Sequence, residues 1–254
     1  MTLRAVLFDL WGTLVLDPRE RSAPRQAWRS ANVHRILIEC GSACELDSVN
    51  EALIALIRGL NALQDKGKDP GAAGRIDLFF DLLCDPATAG LDESQREAIL
   101  NAIGGLEREL APQLAPGAVE ALAAMKAAGL QTALVSNAGV TTSPALRWLL
   151  EEYGLRPHFD LLVFSDELAV AKPDPTIFLH TLEALGVDPS EAAFVGDAPH
   201  NDVAGAQAAG LFAVQVGDKS RDGVRPDAQI ASLTELIDVL VEEGLIPSKA
   251  PVQS

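Results

Sequence analysis

Four short stretches of this 254-residue chain carry side chains able to hold a hard cation and an oxyanion at once. Asp9 follows the apolar run Val6-Leu7-Phe8, and Ser136 and Asn137 close a second apolar run. Lys172 stands before Pro173 in a loop-like stretch, and Gly196-Asp197 follows Ala193-Phe194-Val195, with Asp202 just beyond. Carboxylates supply the oxygen donors that small divalent cations prefer. An ammonium and a hydroxyl beside them complement an anion. Such a set works only if distant parts of the chain bring it to one crevice.

The surrounding elements predict how that happens. The runs Val6–Asp9, Thr132–Ser136, Leu161–Ser165, Ala193–Gly196 and Ala213–Val216 are nearly continuously apolar, as strands buried on both faces of a parallel sheet must be. Helix signals lie between them. Ser143 reads as a cap with Pro144 in the first turn and Gly154 beyond the end, and Asp174, Pro175 and Gly186 repeat the pattern. Ser232 with Glu235 reads as a capping box before a helix closed by Gly244. The expected fold is α/β, a Rossmann-like doubly wound parallel sheet with right-handed crossovers. The stretch from Leu16 to Pro112 breaks the alternation. It shows helical periodicity at Ala27–Cys40, Leu46–Asn61, Ile76–Leu83 and Glu93–Leu110, and no strand. The predicted organisation is a core of residues 1–15 and 113–254 with an all-helical cap subdomain, 16–112, inserted after the first strand. The final ten residues read as a loose tail. Ligands of an open parallel sheet bind beyond the carboxyl ends of its strands, and Asp9, Ser136, Asn137, the Lys172 loop and Asp197 all fall there.

Phe8-Asp9-Leu10-Trp11-Gly12-Thr13-Leu14 resembles the first motif of the haloacid dehalogenase-like superfamily. Ser136-Asn137 resembles its second motif, Lys172-Pro173-Asp174-Pro175 its third, and Gly196-Asp197 with Asp202 its fourth. Each fragment alone is weak, whereas the four in order, each at or after a predicted strand end, are specific. The match covers the opening residues and everything after about residue 113; the helical insert matches in position only. The resemblance implies that Asp9 is a covalent nucleophile forming an aspartyl intermediate. It implies a Mg²⁺ ion bound by Asp9, the Trp11 backbone carbonyl and Asp197, offsetting repulsion between nucleophile and phosphate. Asp202 would be a further ligand, direct or through water, or else only a helix cap. Ser136, Asn137 and Lys172 would hold the transferring group, and Lys172 would keep Asp9 ionised. Trp11 and Thr13 complete the substrate-binding candidates.

Trp11 departs from the pattern. Superfamily phosphatases usually carry a second Asp there, which protonates the leaving alcohol. An indole N–H is a donor only and does no acid–base work, a loss of about 10²–10⁴ in rate for a poor leaving group. An aromatic residue at that place resembles the 2-haloacid dehalogenase branch, which works without metal. Asp197 and Asp202 point the other way, because two added carboxylates beside Asp9 repel it unless a cation sits between them. The expectation is therefore a Mg²⁺-dependent phosphatase for a small phosphorylated metabolite. The alternatives are a carbon–halogen hydrolase and a non-catalytic binding protein. Phosphonate-cleaving relatives need a cap lysine for an imine, and Lys66 and Lys68, the only two here, lie in a loop-like stretch.

Composition narrows the partners. Thirty-six acidic against twenty basic side chains give a formal net charge of −16, which repels nucleic acid and anionic membranes; the small anionic substrate expected as partner is what the resemblance implies. No signal-peptide pattern or membrane-length apolar run is present, so a cytoplasmic monomer or homodimer is expected. Cys40, Cys44 and Cys84 show no metal spacing and read as reduced thiols. The insert offers Arg25, Arg29, His34 and Arg35 on its first helix, while Asp17 and Glu20 lie just after the first motif. Any of the arginines could hold a second anionic group of a substrate. His200 lies inside the fourth motif, and His158 and His180 read as structural.

Overall fold

A computed structural model of the chain describes residues 2–247. In chain order, β1 (Ala5–Phe8) is followed by the two-residue β2 (Val15–Leu16) and the helices α1 (Arg19–Glu39), α2 (Leu46–Gln64), α3 (Gly71–Leu83) and α4 (Glu93–Gly104). The chain returns through β3 (Gln113–Leu114), α5 (Ala118–Ala127), β4 (Gln131–Ser136), α6 (Ser143–Glu152), β5 (Leu161–Phe164) and the one-turn α7 (Ser165–Leu168). It ends with α8 (Pro175–Leu185), β6 (Ala192–Gly196), α9 (Gly205–Ala208), β7 (Phe212–Val216), β8 (Ala228–Ile230) and α10 (Leu236–Glu242).

The main sheet has the order β5-β4-β1-β6-β7-β8, and all its pairings are parallel. From β1 the chain winds outward through β4 and β5, then crosses back past β1 to β6, β7 and β8. That reversal opens a crevice at the carboxyl ends of β1, β4 and β6. Alternating residues of each strand serve opposite faces. Val6 and Phe8 join one cluster with Leu122, Met125 and Leu149, while Ala5 and Leu7 join the other with Ile177, Phe178 and Leu182.

Helices α1 to α4 pack around a third cluster that includes Val33, Leu53, Leu56, Phe79 and Ile99. The antiparallel pair β2–β3, with Val15 opposite Leu114, sets the entry and exit of this segment side by side. Where α2 gives way to α3, the segment is fastened to the sheet domain. Arg75 is fully buried and donates to Asp69 at 2.8 Å and to Asp166 of α7 at 3.0 Å. Ser165 donates to the same Asp69 oxygen at 2.7 Å, and Ala171 N–H donates to Gly67 C=O at 3.0 Å.

Several boundaries differ from expectation for local reasons. Helix α1 begins at Arg19, not Ala27: Pro24 removes one hydrogen bond near the start without ending the helix. Helix α4 stops at Gly104, not Leu110, because Gly105 turns extended (φ −68°, ψ 160°). Ser165 opens α7 and does not extend β5, and Thr142, not Ser143, takes the cap position of α6, while Ser143 N–H is satisfied by Asp166. Ser232 accepts from Thr234 N–H and Glu235 from Ala231 N–H, so the expected box dissolves into a 3₁₀ turn before α10. Strands β2, β3 and β8 were not anticipated. Of the expected loose tail, Leu245 and Ile246 are buried in the core and Leu245 C=O accepts from Leu3 N–H; residues 248–254 lie outside the described residues. Among the described residues no helix is long and apolar enough to cross a membrane.

Candidate active site

Asp9 stands immediately beyond β1, with its N–H still paired to Val195 C=O on β6. The third motif brings Lys172 against it. The ammonium, 1% exposed, donates to Asp9 Oδ1 at 2.6 Å and to Asp202 Oδ1 at 2.7 Å. The Asn137 amide holds the Lys172 backbone from both sides, donating to its C=O at 2.9 Å and accepting its N–H at 2.8 Å. Asp202 does not cap a helix starting at its own position. It lies inside the turn Pro199–Ala204 and accepts from Ala198 N–H at 2.8 Å. Two motif glycines are sterically required: a Cβ on Gly196 would collide with the Asp202 carboxylate, and one on Gly12 (φ +80°) with that of Asp197.

Asp9, Asp197 and Asp202 each place a carboxylate oxygen within 4.8 Å of the others. Burial raises the Asp9 pKa to about 7; Lys172 works against the rise, while Asp202 and Asp197 add to it. Burial likewise raises Asp197, with the Lys219 ammonium opposing. Burial disfavours the charge of Lys172, but Asp202 and Asp9 on either side outweigh it and raise its pKa. Three carboxylates thus share one buried ammonium and the exposed Lys219, which pairs with Asp197. An all-oxygen donor set with surplus negative charge fits a hard divalent cation. Asp202 already uses one oxygen on Lys172 and the other on Ala198, so Asp9 and Asp197 are the freer donors.

These groups face a cavity of about 550 Å³ between the sheet and the helical segment. The sheet side contributes Asp9, Trp11, Asn137, Lys172, Asp197 and Asp202. Trp11 is half-buried, packed against the core cluster while facing the cavity. Ser136 and Thr13 are fully buried and do not line it; the Ser136 hydroxyl points to Asn137 C=O at 3.3 Å, and the Thr13 hydroxyl has no partner among the described residues. The helical side contributes Arg25, Gln26 and Arg29 from α1, and Ile57, Arg58 and Asn61 from α2.

The candidate arginines separate sharply. Arg25 is held by both oxygens of Asp17, at 2.8 and 2.7 Å, and donates to Leu110 C=O. Arg29 is 4% exposed, yet its Nε has no partner among the described residues. Burial, and secondly repulsion from Arg25, lowers its pKa to about 10, so it stays charged. Arg35 forms a surface pair with Glu39, His34 meets Cys44 C=O, and Glu20 is exposed. His200 bonds to Asp65 C=O and does not line the cavity, and His180 is exposed. Lys66 and Lys68 are exposed and also off the cavity wall. The thiols of Cys40, Cys44 and Cys84 are free. Sequence reasoning missed Lys219 and the α2 face. Lys219 had a signal, since it follows the carboxyl end of β7 and the strand-end rule applies there too.

Residues 3–210 match the family model of a haloacid dehalogenase-like hydrolase. The phosphoserine phosphatase of Thermus thermophilus is 42% identical over 166 residues, 59% of this chain and 64% of that protein; the chain thus matches less than two thirds of that relative. The glyceraldehyde 3-phosphate phosphatase of Methanopyrus kandleri is 28% identical over 249 residues, 94% of this chain and 98% of that protein. A crystal structure of a 2-haloacid dehalogenase from Pseudomonas syringae superposes with a TM-score of 0.65 at 24% identity, over 95% of this chain and all of that one, which is a likeness of fold.

Proposed function

We propose that this chain, which belongs to the haloacid dehalogenase-like hydrolase family, is a Mg²⁺-dependent phosphatase acting on a small phosphorylated metabolite through Asp9. The observation that carries the proposal is the buried contact of Lys172 with Asp9 and Asp202, with Asp197 alongside, on the wall of a cavity. Carbon–halogen displacement by Asp9 has no use for two further carboxylates, which only oppose its charge. Phosphatases among the relatives point the same way.

In the first step an Asp9 oxygen attacks phosphorus, and the bond from phosphorus to the ester oxygen breaks. Its electron pair leaves on that oxygen, which takes a proton from water. In the second step water attacks phosphorus, the Asp9 oxygen departs with the bonding pair, and inorganic phosphate is formed. Lys172 orients Asp9 through a 2.6 Å bond and offers positive charge to the transferring group, while Asn137 fixes the Lys172 backbone. Mg²⁺, held by Asp9, Asp197 and the Trp11 carbonyl with Asp202 beside them, would offset the charge of nucleophile and phosphoryl group. Trp11 offers no acid, and Asp17 is engaged by Arg25, so leaving groups of low basicity react fastest. The helical segment acts as a cap that excludes water and selects the substrate. The protein works in the cytoplasm as a monomer or homodimer.

The test is hydrolysis of p-nitrophenyl phosphate, acetyl phosphate and alkyl phosphates, with Mg²⁺ and with chelator, in the wild type and in Asp9→Asn. Mg²⁺-dependent turnover that is lost in the variant, and fastest for the aryl and acyl esters, is expected. Metal binding with no turnover of any ester, or halide release from a 2-haloacid without metal, would overturn the proposal.

A further inference from the structure

The cavity has two electrically different ends. At the sheet end, each carboxylate has a cation against it. At the helical end the charges do not balance. Asp17 gives both oxygens to Arg25, so the buried Arg29 is one cation in excess, with exposed Arg58 also on the wall. An uncompensated guanidinium 4% exposed is costly to bury in a chain whose net charge is −16 and which has carboxylates to spare. Gln26 and Gln64, also on the wall, donate their amide N–H groups to Asn50 at 3.1 Å and Asp69 at 3.3 Å, and neither makes a hydrogen bond with Arg29. A ligand that brings the counter-charge removes that cost.

We infer that Arg29 is the docking point for a carboxylate carried by the substrate, so that the enzyme acts on phosphate monoesters of small hydroxy acids. The charge count favours a carboxylate over a second phosphate. Among the described residues Arg29 is the one buried cation on the wall without a carboxylate, which matches a monoanion. Arg58 is exposed, and a buried phosphate dianion would call for Arg25 as well, which Asp17 occupies. A guanidinium also fits a carboxylate through two parallel hydrogen bonds, and Arg29 lines the cavity with no carboxylate against it among the described residues. The assignment rests on the phosphatase proposal for what binds at the Asp9 end.

Two measurements separate this inference from that proposal. The first is calorimetric binding of phosphonoacetate and methylphosphonate in Mg²⁺, which needs no turnover. Wild type is expected to prefer phosphonoacetate by about 10- to 100-fold, the worth of one charge-assisted pair. Arg29→Gln should abolish the preference. Arg29→Lys, which keeps the charge and stem if the glutamine variant does not fold, should reduce it about tenfold. The second is hydrolysis of 2-phosphoglycolate against ethyl phosphate. In Arg29→Gln the KM for phosphoglycolate should rise by the same factor, so that its advantage over ethyl phosphate, measured in the same variant, disappears. A preference that Arg29→Gln and Arg29→Lys leave intact, or no preference in the wild type, overturns the inference even if phosphatase activity is present. A preference lost with Arg29 while no ester is hydrolysed upholds carboxylate docking at Arg29 and overturns the phosphatase proposal together with the ester substrate class.

Discussion

Two arginines enter the helical segment's contact with the sheet domain, and they are treated in opposite ways. Arg75, fully buried, is matched by Asp69 and Asp166, and Ser165 and Ser143 N–H satisfy the same carboxylates. Arg29, also buried and lining a cavity, pairs with no carboxylate among the described residues; Nε is without an acceptor in both arginines, so the difference lies in the counter-charge. The first region has its charge matched without a ligand and works as an anchor. The second is incomplete without one and works as a receptor. On the proposed function, the difference separates the part of the helical segment that fixes its position from the part that reads the substrate.

The comparison breaks most visibly at the nucleophile, which lies outside both arginine regions. Asp9→Asn should lower turnover by about 10⁴-fold or more, measured as phosphate release, while leaving Arg29-dependent binding of phosphonoacetate in place. Next is stability. Arg75→Met leaves Asp69 and Asp166 buried without their cation and should cost about 3–5 kcal/mol in urea unfolding. Arg29→Met removes an unmatched charge and should leave stability unchanged or raise it by roughly 1 kcal/mol. Equal losses for the two variants would erase the distinction.

Acidity sharpens the contrast between the two ends of the cavity. In chelator, Asp9 has a folded pKa of about 7 against an ordinary 3.8, so the unfolded chain gives up its proton first. The stability this group contributes is complete below about pH 4 and is lost as pH rises through about 7. Mg²⁺ favours the ionised carboxylate. The gap between melting temperatures with Mg²⁺ and with chelator should therefore widen by several degrees from about pH 5 to about pH 8. A gap that does not change with pH would contradict the clustered carboxylates. The smallest effect concerns Lys219, whose exposed ammonium competes for Asp197. Lys219→Met should tighten Mg²⁺ binding by no more than about fivefold in calorimetry, because exposed pairs are weak.

The sheet and its site were legible because the signals are local. Each buried strand is a short apolar run, and each run delivers its functional residue at its carboxyl end, as with Asp9, Asn137 and Asp197. Helix α8 followed from Asp174, Pro175 and Gly186, which occupy their expected cap positions. Strands β2, β3 and β8 were not legible, since two or three residues establish no period. The state of the arginines was not legible either. Arg25, Arg29 and Arg75 look alike in sequence, and what separates them is a partner: Asp17 for one, the distant Asp166 for another, and none for the third. Ser136 shows the reverse failure, since its motif position is right but its side chain is buried away from the cavity wall.

The most direct test of the mechanism is acid-quenched mass spectrometry of the protein during turnover of acetyl phosphate or p-nitrophenyl phosphate. The expected result with Mg²⁺ is one phosphoryl group on the peptide containing Asp9, absent with chelator and absent in Asp9→Asn. Phosphate release that continues undiminished in Asp9→Asn, or a phosphoryl group on any other residue, would contradict it.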